Sequence, residues 1–467
     1  MPRQSKRQQG GIQKNLLNKI MGQYGEQGDL NLFYDRFFWK RVSEAKGALD
    51  GVLETSGAYE SLPSPSNGIS NSILVIDMQN DFMLPPCGAP GVPPYPKCGT
   101  FNVANGETIV GPLNAWIESN MSKVNKVIFS RDSHDPKHCS FGSQGGIFPD
   151  HCQINSPGAA IHEGFKLPQY IDDTTGKVQV IFKGMDKNVD SFGAHKYHEG
   201  DAHAATRQVG NCCKDLGGAG SKGCSDLTGG FFMKGADNRH TFSDQPFDGT
   251  YDWNTQRANF VPFRVEDLLN GQTSGEHNVY IVGLAGDWCV RDTAYNIGKM
   301  GAVNGVKINV YVVQEFVRYA FVPVWAVKTT DLAKLQSMQP GKSLVDYAFK
   351  FDPFPKWRQL LRSELLNIKN SNLNAGGPIF HFITDPKDIL KNYKDAGVKL
   401  CVLPGMENMR SNTNYLERNN TKTTANERER MANFVAQQNA FAAMGGRRKT
   451  RSKRGKACKT KRNRRRM

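Results

Sequence analysis

The sequence holds no long hydrophobic run: no apolar stretch approaches the ~20 residues that a membrane-spanning helix needs. A membrane role is therefore not expected. The N-terminus is polar and basic, and no apolar segment follows it, so a secretory signal is not expected either. Cytoplasm or nucleus is the expected location. Internal repeats are lacking, which argues against a solenoid or propeller. The ten cysteines follow no regular spacing. In a reducing compartment they are expected to be thiols rather than disulfides. Acidic residues are missing from Arg447 to Arg466, a stretch with thirteen Lys and Arg. Taking these from the net charge of +16 leaves +3, so the basic character belongs to a tail and not to the body.

At 467 residues the chain can bury a sizeable core and exceeds a typical single domain. Residues 1–72 read as an N-terminal extension. Apolar positions at helical spacing (Leu16, Leu17, Ile20, Leu30, Leu32, Phe33) predict one or two helices within 13–60, and a Ser/Pro/Gly linker follows at 61–72. Residues 73–404 read as the main body. Its short apolar runs ILVI (73–76), KVIFS (126–130), VQVIF (178–182), VYIVGL (279–284), INVYVV (308–313) and VKLCVL (398–403) suit buried strands of a parallel sheet. Helical patterns at 289–300 and 386–396 alternate with them, which predicts an α/β domain: three layers around a mostly parallel sheet. Residues 196–262 and 320–376 break the rhythm and read as insertions rather than core. Residues 405–467 form a polar extension, with a possible helix at 425–443 before the basic tail.

In open parallel sheets, ligands bind beyond the carboxyl ends of the strands. Asp77 ends the first run, Asp132 and His134 follow the second, Lys183 ends the third, and Cys289 follows the fourth across an AGDW turn. Each alone reads more readily as a cap, a solvated charge or a packed thiol. Their convergence on one sheet edge suggests a nucleophilic site. A thiolate is the reactive form of cysteine, and a neighbouring ammonium and a helix N-terminus both favour it. Asp77 can take the thiol proton and return it to a leaving amine. Backbone N–H groups of Ala285 and Cys289 can stabilise an oxyanion.

A second constellation is Asp132, His134, His138 and His151, in the segment RDSHDPKHCSFGSQGGIFPDHC. Carboxylate and imidazole together suit Zn, Fe or Mn better than Ca or Mg. The bland alternative is a polar loop whose histidines cap helices or face solvent.

Five motifs in order, VIDMQNDF (75–82), SRDSH (130–134), FPDHC (148–152), FKGMDKNVDSF (182–192) and VGLAGDWCVRDTA (282–294), resemble the isochorismatase-like cysteine hydrolases, and most closely their nicotinamidase branch. The resemblance covers about 72–320 and resumes near 378–404. It implies a catalytic triad of Asp77, Lys183 and Cys289, with metal ligands Asp132, His134 and His151. His138 stands where only some members ligate. It further implies a cis peptide between Leu284 and Ala285, a pyridine ring held by Phe82 and Phe148, and metal-assisted hydrolysis of a small aromatic amide through a thioester. Relatives of this kind serve pyridine nucleotide salvage and usually assemble as oligomers.

Two other readings stay open. One is a relative acting on a different small amide or enol ether; the other is an inactive hydrolase fold. The basic tail suggests sequence-independent binding of nucleic acid or another polyanion, with an inert solvated tail as the alternative.

Overall fold

The computed structural model describes residues 50–54, 62–320 and 386–402, apart from short gaps at 67, 86, 88–92, 104–105, 145, 147, 209–210 and 250. The ten strands are β1 (Leu53–Glu54), β2 (Ile69–Ile76), β3 (Lys126–Asp132), β4 (Val178–Lys183), β5 (Gly230–Met233), β6 (Phe260–Pro262), β7 (Gly275–Leu284), β8 (Ala302–Val303), β9 (Val306–Arg318) and β10 (Lys399–Cys401). They form one sheet in the order β1-β10-β9-β7-β2-β3-β4-β5-β6, with β8 beside β9. The first seven strands of that order are mutually parallel, while β5, β6 and β8 pair antiparallel.

The six apolar runs all become strands of this sheet. In β2, Ile73, Leu74, Val75 and Ile76 are all fully buried. Successive strand residues face opposite sides, so both faces of the sheet are covered, which makes three layers. Register is reinforced by a polar ladder across the three central strands. Asn278 donates to Asn71 at 3.0 Å and Asn309 donates to Asn278 at 3.0 Å, each from a residue directly opposite its acceptor.

Among the described residues, three longer helices supply the cover: α1 (Val110–Asn120), α2 (Cys289–Gly298) and α3 (Pro386–Asp395). In α1 the buried residues Val110, Leu113, Trp116, Ile117 and Asn120 recur at three and four, the stripe of a helix lying on a core. Its Trp116 ring packs on Tyr280 of β7 and Phe316 of β9. Helix α2 packs on β7, β9 and α3, and its residues Cys289 to Ile297 are all buried. Helix α3 begins at Pro386, whose fixed φ and missing N–H suit a helix start.

Two expectations are corrected. The 196–262 segment is not peripheral: it contributes β5 and β6, and Phe231, Phe247, Trp253 and Phe260 join the main core. Aromatic rings spaced through a Gly-rich segment can pay for its ordering by burial. At the N-terminal extension, Leu53 and Glu54 pair with Leu400 and Cys401 as an edge strand; two residues are too short to leave a pattern. The helices expected within 13–60 otherwise fall outside the described residues, as do the 320–376 insertion beyond Ala320, the 425–443 helix and the basic tail.

Candidate active site

Asp77 follows β2, Asp132 and Lys183 are the last residues of β3 and β4, and Cys289 opens α2. Because β2, β3, β4 and β7 are parallel neighbours, their carboxyl ends lie side by side. The turn after β2 is tight: Asp77 has φ 48°, in the left-handed region that Asp tolerates better than most residues.

Lys183 lies at the centre. Its Nζ is 2.9 Å from Asp77 Oδ2, 2.8 Å from Asp132 Oδ1 and 3.7 Å from Cys289 Sγ, and it donates to the Ser191 carbonyl at 3.2 Å. Ser130 donates to the other oxygen of Asp77 at 2.6 Å and accepts the Asp77 N–H at 3.1 Å. Asp77 and Lys183 are fully buried and Cys289 nearly so.

Burial dominates the electrostatics. It pushes the Asp77 carboxyl above the ordinary range, against the pull of Lys183. It likewise holds the Cys289 thiol well above its usual value, with Lys183 working to lower it and Asp77 and Asp132 adding to the rise. For Lys183, burial favours the neutral amine, but Asp132, Asp77 and Cys289 together outweigh it and keep the ammonium charged. Burial therefore opposes the thiolate while the neighbouring ammonium favours it.

The backbone before Cys289 forms a tight, hydrogen-bonded turn. The Leu284–Ala285 peptide is cis. Gly286 donates to the Arg318 carbonyl, while Trp288 and Val290 donate to that of Ala285. As the first residue of a helix, Cys289 has an N–H with no carbonyl in a preceding turn to meet it.

Asp132, His134 and His151 offer ligand atoms that all lie within 4.8 Å of one another. His134 Nε2 is 3.2 Å and His151 Nε2 is 3.8 Å from Asp132 Oδ2. The remaining ring nitrogens are engaged behind: His134 Nδ1 lies 2.9 Å from the Gly184 carbonyl and His151 Nδ1 2.7 Å from the Pro149 carbonyl. That pattern fixes the tautomer that leaves both Nε2 atoms free to ligate, as metal-binding histidines require. The donor set fits a divalent transition ion.

A cavity of about 450 Å³, counting its open mouth, joins the two groups. Asp132, His134, His151, Ala285 and Cys289 line it, together with Phe82 and Phe148.

No family model matches the chain. Its curated relatives include the nicotinamidase of Escherichia coli (strain K12), 30% identical over 138 residues, which are 26% of this chain and 55% of the relative. They also include the nicotinamidase of Saccharomyces cerevisiae (strain ATCC 204508 / S288c), 22% identical over 139 residues, 24% of this chain and 56% of the relative. The chain is similar to nicotinamidases. It spans about half the length of the curated relatives it matches. Among solved structures, a Pyrococcus horikoshii pyrazinamidase in complex with zinc aligns at 18% identity and a TM-score of 0.32, over 72% of this chain and 99% of that one.

Several features go beyond the residues that the nicotinamidase motifs point to. The cavity is also lined by Phe101, Phe192, Trp288 and the buried Asp190. Trp288 and Phe192 sit inside two of the motifs, so proximity to Cys289 and Lys183 was the available signal. Phe101 had none: its ring reaches Phe82, Phe148 and His151 from a loop. His138 does not join the Asp132 set. It falls in a neighbouring cluster with His134 and Asp190, and both its ring nitrogens have protein partners, Ser140 Oγ at 2.8 Å and the Val189 carbonyl at 3.1 Å.

The cysteines need a further correction. Six of them pair, as Cys87–Cys98, Cys139–Cys212 and Cys213–Cys224. The chain brings their Cα atoms to 4.9, 5.3 and 5.5 Å, within the span a disulfide bridges. Adjacent Cys212 and Cys213 take different partners, a connectivity that spacing cannot reveal. Cys152, Cys289 and Cys401 are free thiols.

Proposed function

We propose that this chain is a metal-dependent nicotinamidase, hydrolysing nicotinamide to nicotinate and ammonia through a thioester on Cys289. One observation carries the reading: Lys183 Nζ contacts Asp77, Cys289 and Asp132 at once. A single buried cation thereby ties a nucleophile and its acid–base partner to a carboxylate of the His134 and His151 set.

In this reading Asp77 accepts the proton of the Cys289 thiol as sulfur attacks the amide carbon. Lys183 stabilises the thiolate at the moment it forms, offsetting the burial that disfavours it. The N–H groups of Ala285 and Cys289 receive the developing oxyanion. Asp77 then gives its proton to the amide nitrogen, the C–N bond breaks, and ammonia leaves. A water molecule, deprotonated by Asp77, attacks the thioester carbon; the C–S bond breaks and the thiol recovers its proton. Asp132, His134 and His151 would hold a divalent ion (Zn, Fe or Mn), which would supply Lewis-acid chemistry and help to orient the substrate ring. Phe82 and Phe148 flank the ring with apolar surface. Release of nicotinate would place the enzyme in pyridine nucleotide salvage.

The test is ammonia release from nicotinamide, with and without a chelator, by the full chain and by Cys289→Ala. Activity that requires metal and vanishes in the variant is expected. A variant that retains full activity removes the proposal.

A further inference from the structure

Two rings that line the cavity beside Cys289, Phe192 and Trp288, lie with centroids 5.3 Å apart. Arg207 reaches them from the short helix Ala202–Arg207, in the segment between β4 and β5. Its guanidinium carbon is 4.6 Å from the Phe192 centroid and 4.7 Å from that of Trp288. Arg207 is not itself a lining residue; it holds the pair from outside the cavity.

The guanidinium is buried, at 2% exposure, so its charge must be matched. Asp292 supplies the match: Arg207 Nε donates to its Oδ2 at 2.7 Å. Asp292 lies one helical turn after Cys289 on α2. It also accepts from Tyr197 Oη at 2.5 Å and from Arg291 Nε at 3.0 Å, with His203 Nε2 3.3 Å from Oδ1. The Tyr197 hydroxyl in turn accepts the N–H of Gly193, next to Phe192, at 3.2 Å. Tyr197, His203 and Arg207 all belong to the segment that interrupts the α/β rhythm. That segment therefore grips both the nucleophile's helix and the aromatic wall.

We propose that Arg207 is a positioning residue that fixes Phe192 and Trp288 and so sets the width of the slot for the substrate ring. The proposal rests on the nicotinamidase reading for its substrate, and its ring selectivity is a property of the inserted segment. A planar, delocalised guanidinium can lie against two aromatic faces while its edge binds a carboxylate; a lysine ammonium can bind the carboxylate but has no plane to lay against the rings. Loss of the plane frees the rings without unpairing Asp292.

Arg207→Lys separates the two roles. Kinetics with nicotinamide and with the bicyclic quinoline-3-carboxamide should show KM for nicotinamide raised about tenfold and kcat held within about twofold. The preference for the smaller ring should fall by a similar factor. Unchanged KM and ring preference would overturn the proposal, as would a loss confined to kcat. If Arg207→Lys does not fold, Arg207→Met takes its place with the same expectations, because Tyr197 and Arg291 still donate to Asp292. If the unaltered chain cleaves no pyridine carboxamide, the nicotinamidase reading fails separately. The clamp is then read from iodoacetamide labelling of Cys289, located by peptide mass. Labelling several-fold faster in the variant supports it, and an equal rate rejects it.

Discussion

Lys183 donates to Oδ1 of Asp132 at 2.8 Å, and that contact joins the proposed nucleophilic half of the site to the proposed ligand half. The same carboxylate turns Oδ2 toward His134 and His151. The same ammonium lies between Asp77 and Cys289. Neither half is electrostatically independent: the charge proposed to steady a thiolate is itself held by a carboxylate of the other half.

Lys183→Met tests this dependence. The methionine roughly keeps the volume and removes the charge, leaving Asp77 and Asp132 buried without their cation. Such a loss costs about 3–5 kcal/mol in fold stability. kcat should fall by about 100-fold or more, the scale on which a single preorganised charge acts. Urea unfolding and steady-state ammonia release measure the two effects. A variant of normal stability would show that the carboxylates do not need the ammonium.

Gly184 offers a way to disturb the proposed ligand set without altering any of its side chains. Its φ is +66°, and a Cβ there would lie 2.5 Å from His134 Cε1, while its carbonyl holds His134 Nδ1. Gly184→Ala should therefore displace the imidazole. Metal affinity should drop by about 10–100-fold, as for other losses of support behind a ligand. Elemental analysis after dialysis against a graded chelator series would measure it; affinity equal to that of the unaltered chain would mean that His134 is not a ligand.

Much of this arrangement was legible in the sequence for a simple reason. Runs such as ILVI and VYIVGL must be buried on both faces, and parallel strands share one carboxyl edge, so Asp77, Lys183 and Cys289 were bound to meet there if the runs were neighbours. What stayed hidden lacked a periodic signature. Strands Gly230–Met233 and Phe260–Pro262 are too short to alternate visibly. Arg207 carried no signal of its own, because burial of an arginine depends on a carboxylate 85 residues away. The pairing of Cys139 with Cys212 spans 73 residues and depends on the inserted segment folding back over the histidine loop.

That disulfide has a measurable weight. Closing a loop of 73 residues restricts the unfolded chain, and loop-closure entropy puts its contribution at roughly 4 kcal/mol when the native geometry is unaltered. Cys139→Ser/Cys212→Ser should lower stability by up to that amount. Because Cys139 follows His138 directly, the double variant should also loosen the histidine loop. Urea midpoints with and without reductant check the first effect: reductant should shift the unaltered chain toward the variant, and a midpoint indifferent to reductant would show the bond absent.

Acid sensitivity should come in part from two histidines outside the ligand set. Burial lowers His277 from an ordinary value of 6.5 to about 4; it does the same to His195, helped there by His198. A folded-state value below the unfolded one means that the unfolded chain binds the proton first. The stabilisation is complete above pH 6.5 and is lost as pH falls toward 4, at roughly 2–3 kcal/mol for each group. His277 is fully shielded, with Ser70 Oγ 2.5 Å from its Nδ1. Glutamine can keep a hydrogen bond to Ser70 and does not titrate. His277→Gln should therefore narrow the stability difference between pH 7.5 and pH 5 by about 2 kcal/mol, measured by urea unfolding at the two values. Acidic groups titrate in both proteins and cancel in the comparison, so an unchanged difference would mean that His277 takes up its proton without leaving the fold.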